Sequence, residues 1–229
     1  MAHDDLLGQQ VAYYRARASE YDDWWFRRGR YDRGPRANAR WLRDIAAVEQ
    51  AVAEFAPCGD VVELAAGTGN WTRWLSPVSR SVLAVDASEE VLAVNRAQTR
   101  AGNVSYLQAD LFGWQPERSF DEAFFGFWLS HVPPERFNAF WDLVERLVAP
   151  AGRFFLVDSL YTEQSTAADH DLRGRSATSV TRRLDDGREF QIVKVFWDPS
   201  ELQERLTRRG WRALIRTTED FFLYGHGQR

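Results

Sequence analysis

The stretch from Val61 to Asn70, Val-Val-Glu-Leu-Ala-Ala-Gly-Thr-Gly-Asn, constrains this chain most. An apolar, β-prone run carries one acid, turns through paired glycines and leads into a helix start. Gly67 and Gly69 permit the sharp reversal and let bare backbone approach a ligand. A dinucleotide site would need a third small residue three places past the second glycine. That place holds Thr72, beside the bulky Trp71. No Gly-Lys-Ser/Thr is present, so the triphosphate-gripping loop is absent too. What remains suits a nucleoside without its phosphates.

Strand and helix signals alternate from that point. The patterning predicts strands at 61–65, 81–85, 103–107, 120–125 and 153–157. Helices are expected at 71–75, from Ser88 to before Gly102, and from Pro134 through Leu147. Ser88 reads as an N-cap, with Glu89 and Glu90 suited to the helix dipole. Strands joined by helices of this length imply a mostly parallel sheet covered on both faces. Ahead of it, residues 5–28 and 38–56 read as helices; Leu7, Val11, Tyr14 and Ala18 form one stripe on the first. Behind it lie a polar excursion over 161–178 and two strand-like runs, 180–184 and 188–196. Asp185-Asp186-Gly187 joins these runs as a hairpin turn. A helix from Pro199 to Gly210 and a last strand region at 211–215 and 221–224 complete the chain.

Ligands of open α/β sheets bind beyond the carboxyl ends of the strands. Glu63, Asp86 and Asp110 fall at three such ends. Asp86 follows the glycines by about twenty residues, the spacing of a carboxylate that binds ribose hydroxyls. Asp110 is placed to take an adenine amino group, with Leu111 against the ring and Glu63 beneath the glycine turn. Tyr14, Tyr21, Trp24 and Trp25 are compatible both with ordinary helix packing and with a lid that excludes water. His131 follows the fourth strand, at the rim where a second substrate would enter. As a base, an orienting donor or a cap for the helix at Pro134, it fits equally. Arg182 and Lys194 occupy the two arms of the hairpin, where both cations can face one anion. Lys194 is the single lysine, a lone charge in an apolar strand between Val193 and Val195.

The chain's 229 residues suit one domain with an elaboration. A net charge of −4 argues against a nucleic-acid partner. Cys58 stands alone, which leaves no internal disulfide and no cysteine-based zinc site; the four histidines form no short-range ligand pair. No apolar run nears the ~18 residues of a membrane span, and the opening Met-Ala-His-Asp-Asp does not read as a signal peptide. A cytoplasmic protein, monomeric or homodimeric and without a metal, is expected.

Taken together, these residues resemble the class I S-adenosylmethionine (SAM)-dependent methyltransferases along nearly the whole chain. Three stretches narrow the likeness: Tyr13 to Asp22, Trp128 to Pro133, and Asp186 to Phe196. They resemble the branch that methylates phosphonate oxygens. The segment Trp24–Arg36 departs from that branch, which has a tyrosine-containing lid segment there. The resemblance implies a Rossmann-like methyltransferase fold of one domain, with an N-terminal helical lid over residues 1–36. A substrate-side insertion over 159–190 would follow the fifth strand. It implies cofactor contacts from Tyr14, Tyr21, Glu63, Ala65, Gly67, Gly69, Trp71, Asp86, Ala87, Asp110, Leu111 and Phe127. His131, Arg182 and Lys194 would grip the acceptor. The expected activity is O-methylation of a small phosphonate, phosphate or carboxylate, in natural-product biosynthesis. A neutral phenol, amine or thiol acceptor is the alternative, as is a SAM-binding protein without catalysis.

Overall fold

Strands that read as uninterrupted apolar runs are the ones covered on both faces. The computed structural model describes residues 2–18, 20–166, 174 and 176–229. Five parallel strands, β1 (Asp60–Leu64), β2 (Ser81–Asp86), β3 (Val104–Gln108), β4 (Phe120–Gly126) and β5 (Val148–Ser159), form most of one sheet. The last two strands, β8 (Arg212–Thr217) and β9 (Phe222–Gln228), join it antiparallel in the order 3-2-1-4-5-9-8. The order reverses between β1 and β4, so a crevice opens at their carboxyl ends.

Neighbouring phenylalanines divide the core between the faces, because successive strand side chains point opposite ways. Phe125 meets Phe140 and Trp141 of α6 (Phe137–Leu147), whereas Phe124 stacks on Phe155 at 5.7 Å, on the side of α3 (Pro35–Phe55). Ser88 caps α5 (Glu89–Thr99) as its position predicts, accepting from the Val91 N–H at 3.3 Å. The short α4 (Thr72–Leu75) follows the glycine turn, and Asp198 caps α7 (Pro199–Arg208), where Pro199 supplies a preset φ.

The single helix expected over 5–28 is two, α1 (Ala2–Ala16) and α2 (Tyr21–Trp25). Both pieces carry helical periodicity, so the pattern alone does not reveal the turn between them. That turn lets α1 lie across the hairpin while α2 drives Trp25 against Trp71, 5.5 Å between ring centres. The helix expected from residue 38 begins three residues earlier, with Pro35 as the first residue of α3 behind Gly34 at φ 85°. The hairpin is β6 (Ser179–Arg183) paired with β7 (Glu189–Val193), with Gly187 at φ 87° in the turn. β7 stops three residues short of the expected Phe196, because Val195 N–H leaves the ladder for the Ser130 carbonyl at 2.8 Å. Tyr13 of α1 packs with Val180, Leu184 and Ile192, which joins α1 to the hairpin. Of the expected excursion, residues 167–173 and 175 lie outside the described residues.

Candidate active site

A cavity of about 410 Å³ lies over the carboxyl ends of β1, β2 and β4. Its wall includes Tyr14, Tyr21, Ala65, Gly67, Asp86, Ala87, Asp110, Leu111 and Phe127, nine of the twelve expected cofactor residues. Asp86 is built into the turn that shapes it. One carboxylate oxygen accepts from the Gly67 N–H and the other from the Ser88 N–H, each at 3.0 Å. Burial pushes its carboxyl upward, and these backbone donors pull it back. Asp110 accepts from the Phe112 N–H at 3.0 Å. Gly67, at φ 57°, has open space where a Cβ would stand. Ala65 and Phe127 also adopt left-handed backbone, at φ 54° and 57°, an unusual state for residues with side chains.

Glu63, Gly69 and Trp71 lie behind the cavity wall rather than in it. Glu63 is buried with no facing cation among the described residues and accepts from Thr72 Oγ1 at 2.5 Å; burial pushes its carboxyl up to about 8. Asn95 Nδ2 donates to Thr72 Oγ1 at 2.7 Å and to the Gly67 carbonyl at 3.2 Å, which ties α5 to the turn. Gly69, at φ 96°, lies where a Cβ would come within 2.6 Å of Asn95 Oδ1. The Trp71 ring turns inward onto Phe124, with 5.3 Å between ring centres.

A second cavity of about 60 Å³ adjoins the first and shares Tyr14, Tyr21, Phe127 and His131 with it. Arg182 and Lys194 both line it, each 7% exposed. They occupy one face of the hairpin: Arg182 pairs with Phe190, and Lys194 N–H bonds the Thr178 carbonyl at 3.0 Å. Lys194 Nζ donates to Ser130 Oγ at 2.8 Å and to Ser159 Oγ at 3.4 Å, with Asp158 Oδ1 at 3.8 Å. Burial pulls its ammonium down to about 8, against the pull of Asp158. Arg182 has no carboxylate partner among the described residues, and its Nη1 is buried without a hydrogen bond.

His131 sits in a single 3₁₀ turn, Leu129–His131. Its Nδ1 lies 2.7 Å from the Val193 carbonyl, which only accepts, so Nδ1 carries the proton. Nε2 is then the acceptor and receives the Tyr14 hydroxyl at 2.7 Å. Burial, then Lys194, pushes the imidazole well below its ordinary pKa, so it is neutral near pH 7.

Sequence reasoning missed Arg17, Asp158 and Asp22. Arg17 lines the small cavity; the signal in the sequence was its spacing, four residues from both Tyr13 and Tyr21. Asp158 is a fourth acid at a strand end, the rule that singled out the other three; it accepts from the Ser130 and Ser159 N–H groups, each at 2.7 Å. Asp22 binds Thr68 Oγ1 at 3.0 Å and so pins α2 to the glycine turn.

A family profile described as a methyltransferase domain matches residues 61–152. The solved DhpI–SAM–HEP complex is 39% identical, with 98% of each chain covered and a TM-score of 0.80. The DhpI–SAH complex, also 39% identical, covers 98% of this chain and 97% of that one, with a TM-score of 0.76. The chain belongs to the SAM-dependent methyltransferases. Its methyltransferase sheet also aligns with a 1,6-didemethyltoxoflavin-N1-methyltransferase from Burkholderia thailandensis. That likeness, 17% identical over 97% of this chain and 88% of that one with a TM-score of 0.63, concerns the fold alone. No curated protein sequence matches. SAM is the methyl donor of this methyltransferase, and the larger cavity fits it chemically. Asp86 and Asp110 offer acceptors for hydroxyl and amino groups, Leu111 and Phe112 offer apolar surface, and two carboxylates would repel a pyrophosphate. No helix among the described residues is long and apolar enough to cross a membrane.

Proposed function

We propose that this methyltransferase moves the methyl group of SAM onto an oxygen of a small anion: a phosphonate, phosphate or carboxylate. The observation that carries the reading is the pair of buried cations, Arg182 and Lys194, beside the donor cavity, with no acidic side chain among the described residues lining their own. Burying charge that is not neutralised is costly; among the described residues Arg182 has no carboxylate partner and Asp158, 3.8 Å away, offsets Lys194 only in part, so the site suits an anionic guest. The 39% identical relative was solved with SAM and HEP together, which supports a two-substrate site in this place.

SAM supplies a methyl group made electrophilic by its sulfonium. In this reading Asp86 receives the ribose hydroxyls, Asp110 the adenine amino group, and Leu111 packs on the ring. Tyr14, Tyr21 and Phe127 present rings to the junction of the two cavities, where cation–π attraction favours a positive centre. Arg182 and Lys194 hold the acceptor through its other oxygens and leave the attacking one unbound, since a nucleophile tied by hydrogen bonds is quenched. An anionic oxygen near pH 7 needs no strong base. Neither His131 nitrogen is free, so the ring orients the site through Tyr14 and Val193 instead. Proximity and exclusion of water then supply most of the acceleration, up to ~7–11 kcal/mol in favourable cases.

The test is a screen with labelled SAM against small phosphonates, phosphates, carboxylates, phenols, amines and thiols. Label is expected in organic anions alone; turnover confined to phenols, amines or thiols would overturn the proposal.

A further inference from the structure

Arg17 closes the acceptor cavity from the lid side. It lies just past α1, is 8% exposed and lines the same small cavity as Arg182 and Lys194. Its guanidinium stands 5.0 Å from the ring centre of Tyr21 and 5.6 Å from those of Tyr13 and Tyr31. One nitrogen donates to Tyr31 Oη at 3.1 Å, while Nε is buried without a partner. No ion pair holds it among the described residues. Aromatic faces fix a guanidinium in place without cancelling its charge, so the cage presents a cation and keeps it available.

We infer that Arg17 is the third cation of the acceptor site, delivered by the lid, and that it makes the site select doubly charged acceptors. The inference rests on the anionic-acceptor reading and extends it. Among the described residues, Arg17, Arg182 and Lys194 carry three positive charges, against one carboxylate, Asp158, behind Lys194. A singly charged guest leaves that excess half met, and a dianion meets it. The chemistry then favours release. The C–S bond to the methyl breaks as the new O–C bond forms; the sulfonium becomes a neutral thioether and the acceptor loses one negative charge. A monoanionic product is a poorer match to three cations, so the same cage that draws substrate in disfavours product and a second methylation.

Two probes of one size and shape separate charge from fit. Ethyl phosphate is largely doubly charged near neutral pH, and ethyl sulfate carries a single charge on the same skeleton. Their affinities are measured by calorimetry on the S-adenosylhomocysteine-bound protein, for wild type, Arg17→Gln and Arg17→Lys. The wild type should prefer ethyl phosphate by about tenfold or more, the scale of one charge-assisted hydrogen bond. Arg17→Gln should erase most of that preference with S-adenosylhomocysteine affinity nearly unchanged, and Arg17→Lys should restore part of it. A preference that survives in Arg17→Gln overturns the inference. So does a parallel loss of S-adenosylhomocysteine affinity in both variants, which would make Arg17 a strut of the lid. If neither anion binds the wild type, the anionic-acceptor reading itself fails, a distinguishable result.

Discussion

A buried lysine without a full ion pair gives up its proton early, and burial brings Lys194 down to about 8. Its folded value lies below its unfolded one, so the unfolded chain binds more protons between them. The residue's contribution to stability therefore rises with pH through that window and is smallest below about 8. Anion binding runs the other way, because it needs the ammonium. Ethyl sulfate, whose own charge is constant, should bind with an affinity that falls above pH 8 by up to about tenfold per unit. Calorimetry across that range checks it, and Lys194→Gln should flatten the profile. An unchanged slope in that variant would assign the titration to another group. The lysine was legible in the sequence as an oddity of composition and context. Its three oxygen neighbours were not, since Ser130, Asp158 and Ser159 come together only where the chain after β4, the end of β5 and the hairpin meet.

At the scale of elements, the glycine turn joins two kinds of glycine that the sequence does not separate. Gly67→Ala meets open space and should cost about 1–2 kcal/mol of stability from its left-handed backbone. Gly69→Ala must also displace Asn95, which Thr72, Thr99 and the Gly67 carbonyl hold, so its melting temperature should drop further. Beneath the turn, Glu63 holds its proton up to about 8 in the folded state, well above its unfolded value. Its contribution to stability is present below the unfolded value and is lost as pH climbs toward 8. Glu63→Gln keeps the neutral form, so thermal melts should show the variant gaining on wild type over that climb and then holding level. The strands and their acids were readable because a doubly covered parallel sheet needs apolar runs and ends them at polar loops. The break between α1 and α2 was not, because both pieces keep a helical period and only tertiary packing demands the turn. The left-handed backbone of Ala65 and Phe127 was equally hidden, since nothing in an alanine or a phenylalanine announces it.

Across the whole molecule, α1 and the hairpin pack on one another and line two adjoining cavities. Gln10 of α1 binds the His131 carbonyl at 3.2 Å and the Val193 N–H at 3.0 Å, so α1 touches both sides of the smaller cavity. Donor binding should therefore reach the lid. Hydrogen exchange over residues 8–30 is expected to slow with S-adenosylhomocysteine and to slow again when an anion joins it. Equal exchange in all three states would make α1 and α2 fixed packing rather than a lid. The central claim is that the buried hairpin cations hold the acceptor, and acceptor kinetics on Arg182→Ala and Lys194→Ala test it most directly. Each variant should lose ~10–200-fold in kcat/KM, about 1.5–3 kcal/mol for a charge-assisted hydrogen bond, with SAM affinity nearly intact. Near wild-type turnover in both would contradict the account.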